Sequence, residues 1–366
     1  MNHKIKQQER IAGWLFVTPF CVSLFVFFVY ALGRTLVYSF QSFDLFSDAT
    51  WNGIANYVAL LSDPLFALAL RHSLAFSIVV TTLQTMLALL LALAANKKVR
   101  GQGFFRTVFY FPSILSSAAM TLIFMWLFQR RGVLNQGLGW INEHMGLLLI
   151  CVVLFMAIQT VQFLMGRRRY QWVRWGDPFH FLVSLLLTAV GTLILAGYGI
   201  GVRELSEPVA ITWLNTRETW GPLPRTIWAI VAMNIFTTVP TLMLLYLAGL
   251  QSIPDSLYEA AELEGASKFQ QLRYITWPRL MPVSFTVVTL GIIGTLQMFD
   301  QVALLGDAAP LESKITLAYF TYHNAFPPGG TPRIGMASAA ALVLAALTLV
   351  MVLIQRSVGV GEKTND

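Results

Sequence analysis

Eight stretches of about 20 predominantly apolar residues run through the chain, at roughly 14–37, 73–95, 107–128, 147–166, 179–200, 226–247, 282–300 and 335–355. A helix rises about 1.5 Å per residue, so each stretch is long enough to cross a hydrocarbon core of about 30 Å. In lipid every backbone N–H and C=O must find its partner within the protein, which leaves helices as the natural solution for runs this apolar. The expected fold class is all-α: a polytopic membrane protein with about eight transmembrane helices. Composition agrees, because the 366 residues are 56% hydrophobic and only 12% charged. A soluble domain carries about 25% charged residues. No clear small-residue cleavage site follows the first stretch, which opens at Trp14; Arg34 and Tyr38 come next. It reads as a retained span and not as a signal peptide.

In a soluble chain a net charge of +7 would fit a nucleic-acid surface. Here the basic residues fall in short clusters beside the apolar stretches, which reads as membrane topology and excludes a nucleic-acid partner. With the N-terminus in the cytoplasm, sixteen of the 25 Lys and Arg residues lie in cytoplasmic segments, among them Lys97, Lys98, Arg100, Arg167, Arg168, Arg169 and Arg174. The other nine lie outside or at the outer rims. Both termini are therefore expected in the cytoplasm, and so is the segment between the sixth and seventh stretches. Cys21 and Cys151 sit inside apolar stretches and read as packing residues, not as a disulfide or metal pair.

The segment 256–278 is a polar island between two spans. Ser256 with Glu259, and Ser267 with Gln270, read as two capping boxes. Gly265 stands between them, where a helix ends and positive φ is easiest. The expected element is a short helix, a sharp bend and a second short helix at the membrane edge. Such a shape suits docking in a groove on a soluble partner.

At their spacing, Glu259, Ala260, Ala261, Gly265, Ile275 and Pro278 resemble the EAA loop of ABC-importer permeases. Trp277 stands where that family usually has Leu, a volume increase at an apolar site. The resemblance covers nearly the whole chain. Trp14-Leu15-Phe16 with Pro19, the pairs Asn56-Tyr57 and Asp63-Pro64, Phe109 to Pro112, Ala248 to Pro254, Phe299-Asp300 and Gly335 to Ala339 all look like the carbohydrate-importer subfamily of the maltose/glycerol-phosphate type. It implies a type I ABC-importer transmembrane fold: a tail, first span and outer loop over 1–70, a transmembrane domain over 71–355, and a cytoplasmic tail over 356–366. It also implies the partners: a second homologous permease subunit, two copies of an ABC ATPase and an extracytoplasmic solute-binding protein, in a bacterial plasma (inner) membrane. ATP and Mg would act on the ATPase, and this chain would bind no cofactor. The EAA loop would couple ATP-driven closure to rocking of the spans.

One stretch departs from the subfamily. About sixty residues, holding a hairpin of two spans at about 146–201, intervene where that subfamily runs almost directly on. Two added spans preserve the sidedness of everything downstream. The hairpin reads as a peripheral pair facing lipid; a partner-docking pair, with Gln159 and Gln162 facing protein, is the alternative.

No phosphate-cradling Gly-x-x-x-x-Gly-Lys-Ser/Thr, no His-Glu-x-x-His and no Gly-x-Ser-x-Gly turn occurs, so nothing points to an ATPase, metalloprotease or hydrolase. An uncharged polar solute needs hydrogen-bonding partners inside an apolar bundle. The candidates are Ser116 and Ser117 in the third span, Asn234, Thr237 and Thr238 in the sixth, and Gln297 and Asp300 at the end of the seventh. Phe299, Trp126 and Tyr110 are candidates for stacking on sugar faces. Each has a plainer role, since Ser and Thr bond their own helix backbone and Asn234 can bridge two helices. No Lys or Arg lies mid-span, which favours a neutral sugar, oligosaccharide or polyol over glycerol phosphate. An ion-driven transporter would want mid-membrane charges and paired broken helices, and neither is evident.

Overall fold

The computed structural model describes residues 2–96, 102–169, 177–203 and 209–359. It opens with α1 (Asn2–Leu24), which passes through a π-helical turn (Phe25–Val29) into α2 (Tyr30–Ser39). A small antiparallel ribbon pairs β1 (Gln41–Ser42) with β2 (Thr50–Trp51), Gln41 opposite Trp51. Next come α3 (Ala55–Ser62), α4 (Pro64–Ala95), α5 (Gln102–Tyr110), a 3₁₀ turn (Phe111–Ile114) and α6 (Ser117–Leu127). They are followed by α7 (Val133–Glu143), α8 (Met145–Arg169) and α9 (Pro178–Gly197). A second ribbon, β3 (Thr219–Trp220) with β4 (Leu223–Pro224), precedes α10 (Arg225–Gln251) and α11 (Asp255–Leu263). Then α12 (Lys268–Gln271) runs through a π turn (Leu272–Thr276) into α13 (Trp277–Leu296). The chain closes with α14 (Asp300–Leu304), α15 (Leu311–Lys314), α16 (Leu317–Ala325) and α17 (Ile334–Gly359).

Among the described residues, seven helices are long and apolar enough to span a membrane, or eight if one bent pair counts as a span. That pair is the expected third span. It is two helices, Arg106–Ile114 and Ser117–Leu127, meeting at 99°. Pro112 removes a backbone donor at the break. Two serines satisfy groups freed there: Ser113 Oγ donates to the Tyr110 carbonyl at 2.8 Å, and Ser116 Oγ accepts from the Ala119 N–H at 3.2 Å. The second span starts at Pro64, well before the expected 73, because Asp63 caps α4 by accepting from the Leu65 N–H at 2.8 Å. The seventh is longer than expected at its start: Lys268–Leu304 forms one candidate span, so the second short helix of the polar island is the opening of a transmembrane rod. The basic residues Lys97, Lys98, Arg100, Arg174 and Lys363 lie outside the described residues.

The chain divides into two compact units, one built from 1–124 and 214–366, the other from 125–213. In the first, α4, α10 and α13 pack around Ala88, Ala92 and Ala95 of α4, with Met243, Tyr246, Leu280 and Val287. Three alanines on one face of α4 let its neighbours approach closely, which lipid-embedded helices need because dispersion contacts drive their association. Gln84 meets Thr238 midway, and Ala95 shares a cluster with Leu250 further on, so α4 and α10 run in the same sense. Ser77 meets Thr295, with Oγ1 to Oγ at 2.8 Å, so α13 runs back the other way. A second cluster joins α3, α4, α16 and α17 through Leu60, Phe66, Ala69, Phe320, Ala339 and Ala340. The island around Gly265 thus lies at the opposite end of the bundle from α14–α16.

The second unit holds α8 and α9 as a hairpin. Ser184 Oγ donates to Gln159 Oε1 at 2.5 Å between them, so Gln159 faces its own hairpin. The outward residues are apolar and exposed, Val153, Met165, Phe179 and Leu193 among them. Leu147 N–H bonds the Gly201 carbonyl at 2.7 Å, and Arg203 N–H bonds the Glu143 carbonyl at 2.8 Å. The hairpin leaves from and returns to one point. Cys151 is half-buried; Cys21, expected to be packed, is exposed on a helix with no buried residue in its apolar window.

Candidate functional site

Two adjoining cavities open in the first unit. One of about 350 Å³ is lined by Gln84, Ser113, Asn234, Thr237, Thr238, Thr241, Gly291, Gly294 and Thr295 with two leucines. The other, about 190 Å³, is lined by Ser117, Asn234, Gly294, Gln297, Met298, Phe299, Asp300 and Gln301. Asn234 and Gly294 belong to both. Of the sequence candidates, the structure therefore brings together Ser117, Asn234, Thr237, Thr238, Gln297, Phe299 and Asp300. Ser116 does not join them; it caps α6. Tyr110 lines neither cavity.

The helix that carries Asn234, α10, has Pro240 in its interior, which leaves the Phe236 carbonyl without its ladder donor. Thr237 and Thr238 turn back on the carbonyl of Asn234, at 3.0 and 2.8 Å. The Asn234 side chain is 8% exposed, and its Nδ2 donates to Gln301 Oε1 at 3.3 Å. Its Oδ1 is buried with no partner. An orphaned buried acceptor costs about 1–3 kcal/mol, a cost the fold bears beside both cavities.

Gln84 and Gln301 were missed by sequence reasoning, because a glutamine in an apolar run gives no sign of which face it takes. Gln84 is 2% exposed and lies 2.9 Å from Thr238 Oγ1. A Cβ on Gly291 would fall 2.5 Å from Gln84 Nε2, so a side chain there would displace the end of Gln84. Gly294 has open space in front of it, and that space is cavity.

At the far end, α11 terminates as a full Schellman turn. Gly265 N–H bonds the Glu262 carbonyl at 3.0 Å and Ala266 N–H bonds that of Ala261 at 2.9 Å, with Gly265 at φ +77°. The Ser267/Gln270 capping box forms as expected. The Ser256/Glu259 box does not. Pro254 is the N-cap and the helix is already under way at Asp255, so Ser256 is inside the first turn. Lys268 pairs with Glu262 across the bend and holds that carboxyl below its ordinary range. Tyr258 Oη and Thr276 Oγ1, 2.8 Å apart, tie α11 to the π turn.

That turn has a local cause. Pro278 has no N–H, and its ring would clash with the carbonyl four residues back in a plain α-helix. One extra residue per turn relieves this, and the Trp277 N–H bonds the Leu272 carbonyl five residues away. Ile275 and Pro278 are therefore inside the rod. Glu259, Ala260 and Gly265 are exposed and Ala261 is half-buried. Leu263 is 91% exposed and Phe269 69%, one on each side of Gly265.

The comparisons with known proteins agree with this arrangement. Residues 163–359, more than half of the chain, match the binding-protein-dependent transport system inner membrane component family. The probable ABC transporter permease YurN of Bacillus subtilis is 26% identical over 351 residues, covering 95% of this chain and 96% of YurN. The lactose transport permease LacF of Rhizobium radiobacter is 28% identical over 328 residues, covering 88% and 86%. A solved bacterial alginate ABC transporter, in complex with an alginate pentasaccharide-bound periplasmic protein, shares the fold at a TM-score of 0.63. It is 20% identical and covers 96% of this chain and 94% of its own. With its apolar spans, its polar cavity walled by α4, α10 and α13 and its Gly265 bend at the bundle's other end, this chain belongs to the inner-membrane permease components of binding-protein-dependent transport systems.

Proposed function

We propose that this permease forms one half of an ATP-driven import path for a neutral sugar, oligosaccharide or polyol. The carrying observation is the pair of adjoining polar cavities that share Asn234 and Gly294. Its polar lining is amides, hydroxyls and one carboxylate, with one aromatic ring, the groups that hydroxyl-rich solutes pair with and stack on. The relatives support the class, since LacF is named for lactose. A glycerol-phosphate cargo is disfavoured: among the described lining residues Asp300 is the one charge, and it would repel a phosphate.

The exposed tip around Gly265 is the surface we assign to a groove on a separate ATPase, with Leu263 and Phe269 as apolar anchors and Glu259 meeting a basic residue there. The tip then faces the cytoplasm, as do both termini. A second permease, two ATPase subunits and an external binding protein complete the assembly, and ATP with Mg is bound by the ATPase. Catalysis is assigned to that subunit. The test is uptake by the reconstituted complex, with its binding protein, from a panel of lactose, trehalose, maltotriose, raffinose, glucose, sorbitol and glycerol 3-phosphate. Uptake of glycerol 3-phosphate without any neutral solute would overturn the cargo.

A further inference from the structure

Helix α16 shows two unlike faces. Leu317, Phe320 and Asn324 are buried, with the Phe320 ring edge-on to Phe66 of α4 at 5.5 Å. On the other side stand Tyr319, Tyr322 and Phe326. Their rings continue one another and reach the cavity: Phe326 to Tyr322 at 5.3 Å, Tyr322 to Phe299 at 5.0 Å, and Tyr319 to Phe299 at 6.3 Å. Phe299 itself lines the smaller cavity. Tyr322 is 43% and Phe326 61% exposed, so two large rings are left open at the end of the row.

The row is held rigidly. Thr316 Oγ1 donates to the carbonyl of Met298, the residue before Phe299, at 3.0 Å. The Leu317 N–H donates to Ser73 Oγ on α4 at 2.9 Å. Behind Tyr319, the Lys314 ammonium lies 5.3 Å from the ring centroid and bonds the Gly306 carbonyl. A membrane-interface belt would scatter such residues along the headgroup level. Here four rings run outward from a cavity wall, at the end of the bundle opposite Gly265.

We infer that Phe299, Tyr319, Tyr322 and Phe326 form a stacking track that receives a glycan of two or more rings and leads it into the cavity. The apolar C–H face of a sugar ring lies flat against an aromatic face, and repeated rings let it advance without desolvating all its hydroxyls at once. A row reaching two ring steps beyond the cavity suits a chain of sugar units better than a single one. This inference rests on the sugar reading above.

The test is uptake by the whole reconstituted complex over the same panel. Tyr322→Ala and Phe326→Ala should each raise the half-saturating oligosaccharide concentration roughly 5-fold, the size expected of one lost ring contact. Maximal rate should change less. Tyr322→Phe, which keeps the ring, should restore the wild-type value. Tyr322→Leu and Phe326→Leu keep bulk without a flat face; they should behave like the alanine variants, and they decide the matter if an alanine variant fails to assemble. Unchanged half-saturation in the leucine variants would overturn the track, as would altered co-purification of a second permease with normal half-saturation. A wild-type complex that carries only glucose or sorbitol would overturn the track and leave the neutral-solute reading standing. One that carries only glycerol 3-phosphate would overturn both.

Discussion

Asn234 lines both cavities. Its Nδ2 is used by Gln301 and its Oδ1 is unused. Asn234→Ala removes a side chain common to both cavity walls and releases Gln301, so it should slow uptake by about 10-fold while costing the fold about 1 kcal/mol. Uptake kinetics set beside the thermal unfolding of the purified permease would check this. Gly265 makes the opposite case. Open space surrounds the position where its Cβ would be, so the obstacle to a side chain is the backbone at φ +77°. That conformation costs most side chains about 1–2 kcal/mol, and Asn or Asp less. Gly265→Asn should fold and couple nearly normally. Gly265→Asp should fold equally well yet lose ATP-coupled uptake, because it adds a further negative charge beside Glu262 and Glu264, between the exposed Leu263 and Phe269. ATPase activity with and without loaded binding protein separates the two. Gly265 was legible in the sequence because its turn chemistry is local. The orphaned Oδ1 was not, since it depends on which neighbour Gln301 reaches after folding.

At the scale of elements, sequence reasoning found the helices but misjudged their joints. The third span breaks at Pro112, which looked like part of a family motif and is also a point where serines replace the missing ladder bonds. The same holds for Gly335. It read as a motif residue, and the structure gives the reason: a Cβ there would collide with the Gln41 carbonyl. The pair Asn56-Tyr57 likewise clamps the end of α2, with Asn56 Nδ2 donating to the carbonyls of Ser39 and Gln41 at 2.9 Å each. Such contacts join distant parts of the chain, so periodicity carries no trace of them. The π turn before Pro278 yields a prediction of its own. Pro278→Ala restores an N–H and removes the clash, letting the turn relax to a plain helix. One residue of register rotates α12 by about 100° relative to α13. Uptake should fall while membrane insertion stays normal, and a cysteine at position 269 should change its crosslinking pattern to the ATPase.

At the scale of the whole molecule, the chain holds a second unit built on the hairpin of α8 and α9. Ser184 and Gln159 pair between its two helices, and its outer faces are apolar. This favours the lipid-facing reading over partner docking through Gln159. Its two ends touch at Gly146 and Gly201, where the Leu147 N–H meets the Gly201 carbonyl. Excision of 147–200 should therefore close without strain and leave sidedness unchanged, since two spans leave together. Uptake by the shortened permease should stay within about 3-fold of the full chain, a change under 1 kcal/mol in barrier. Loss of uptake with normal assembly would assign the hairpin a working role. The added pair was visible in the sequence as a length anomaly, but the contact between its ends was not.

From Lys268 to Leu296 the chain is helical without interruption, first α12, then the π turn, then α13. No loop interrupts that shaft between the tip and the cavity wall. Torque applied near Phe269 arrives at Gly294 and Thr295 as displacement of the cavity's own wall, so the grip on the cargo is reset in the same stroke that turns the handle.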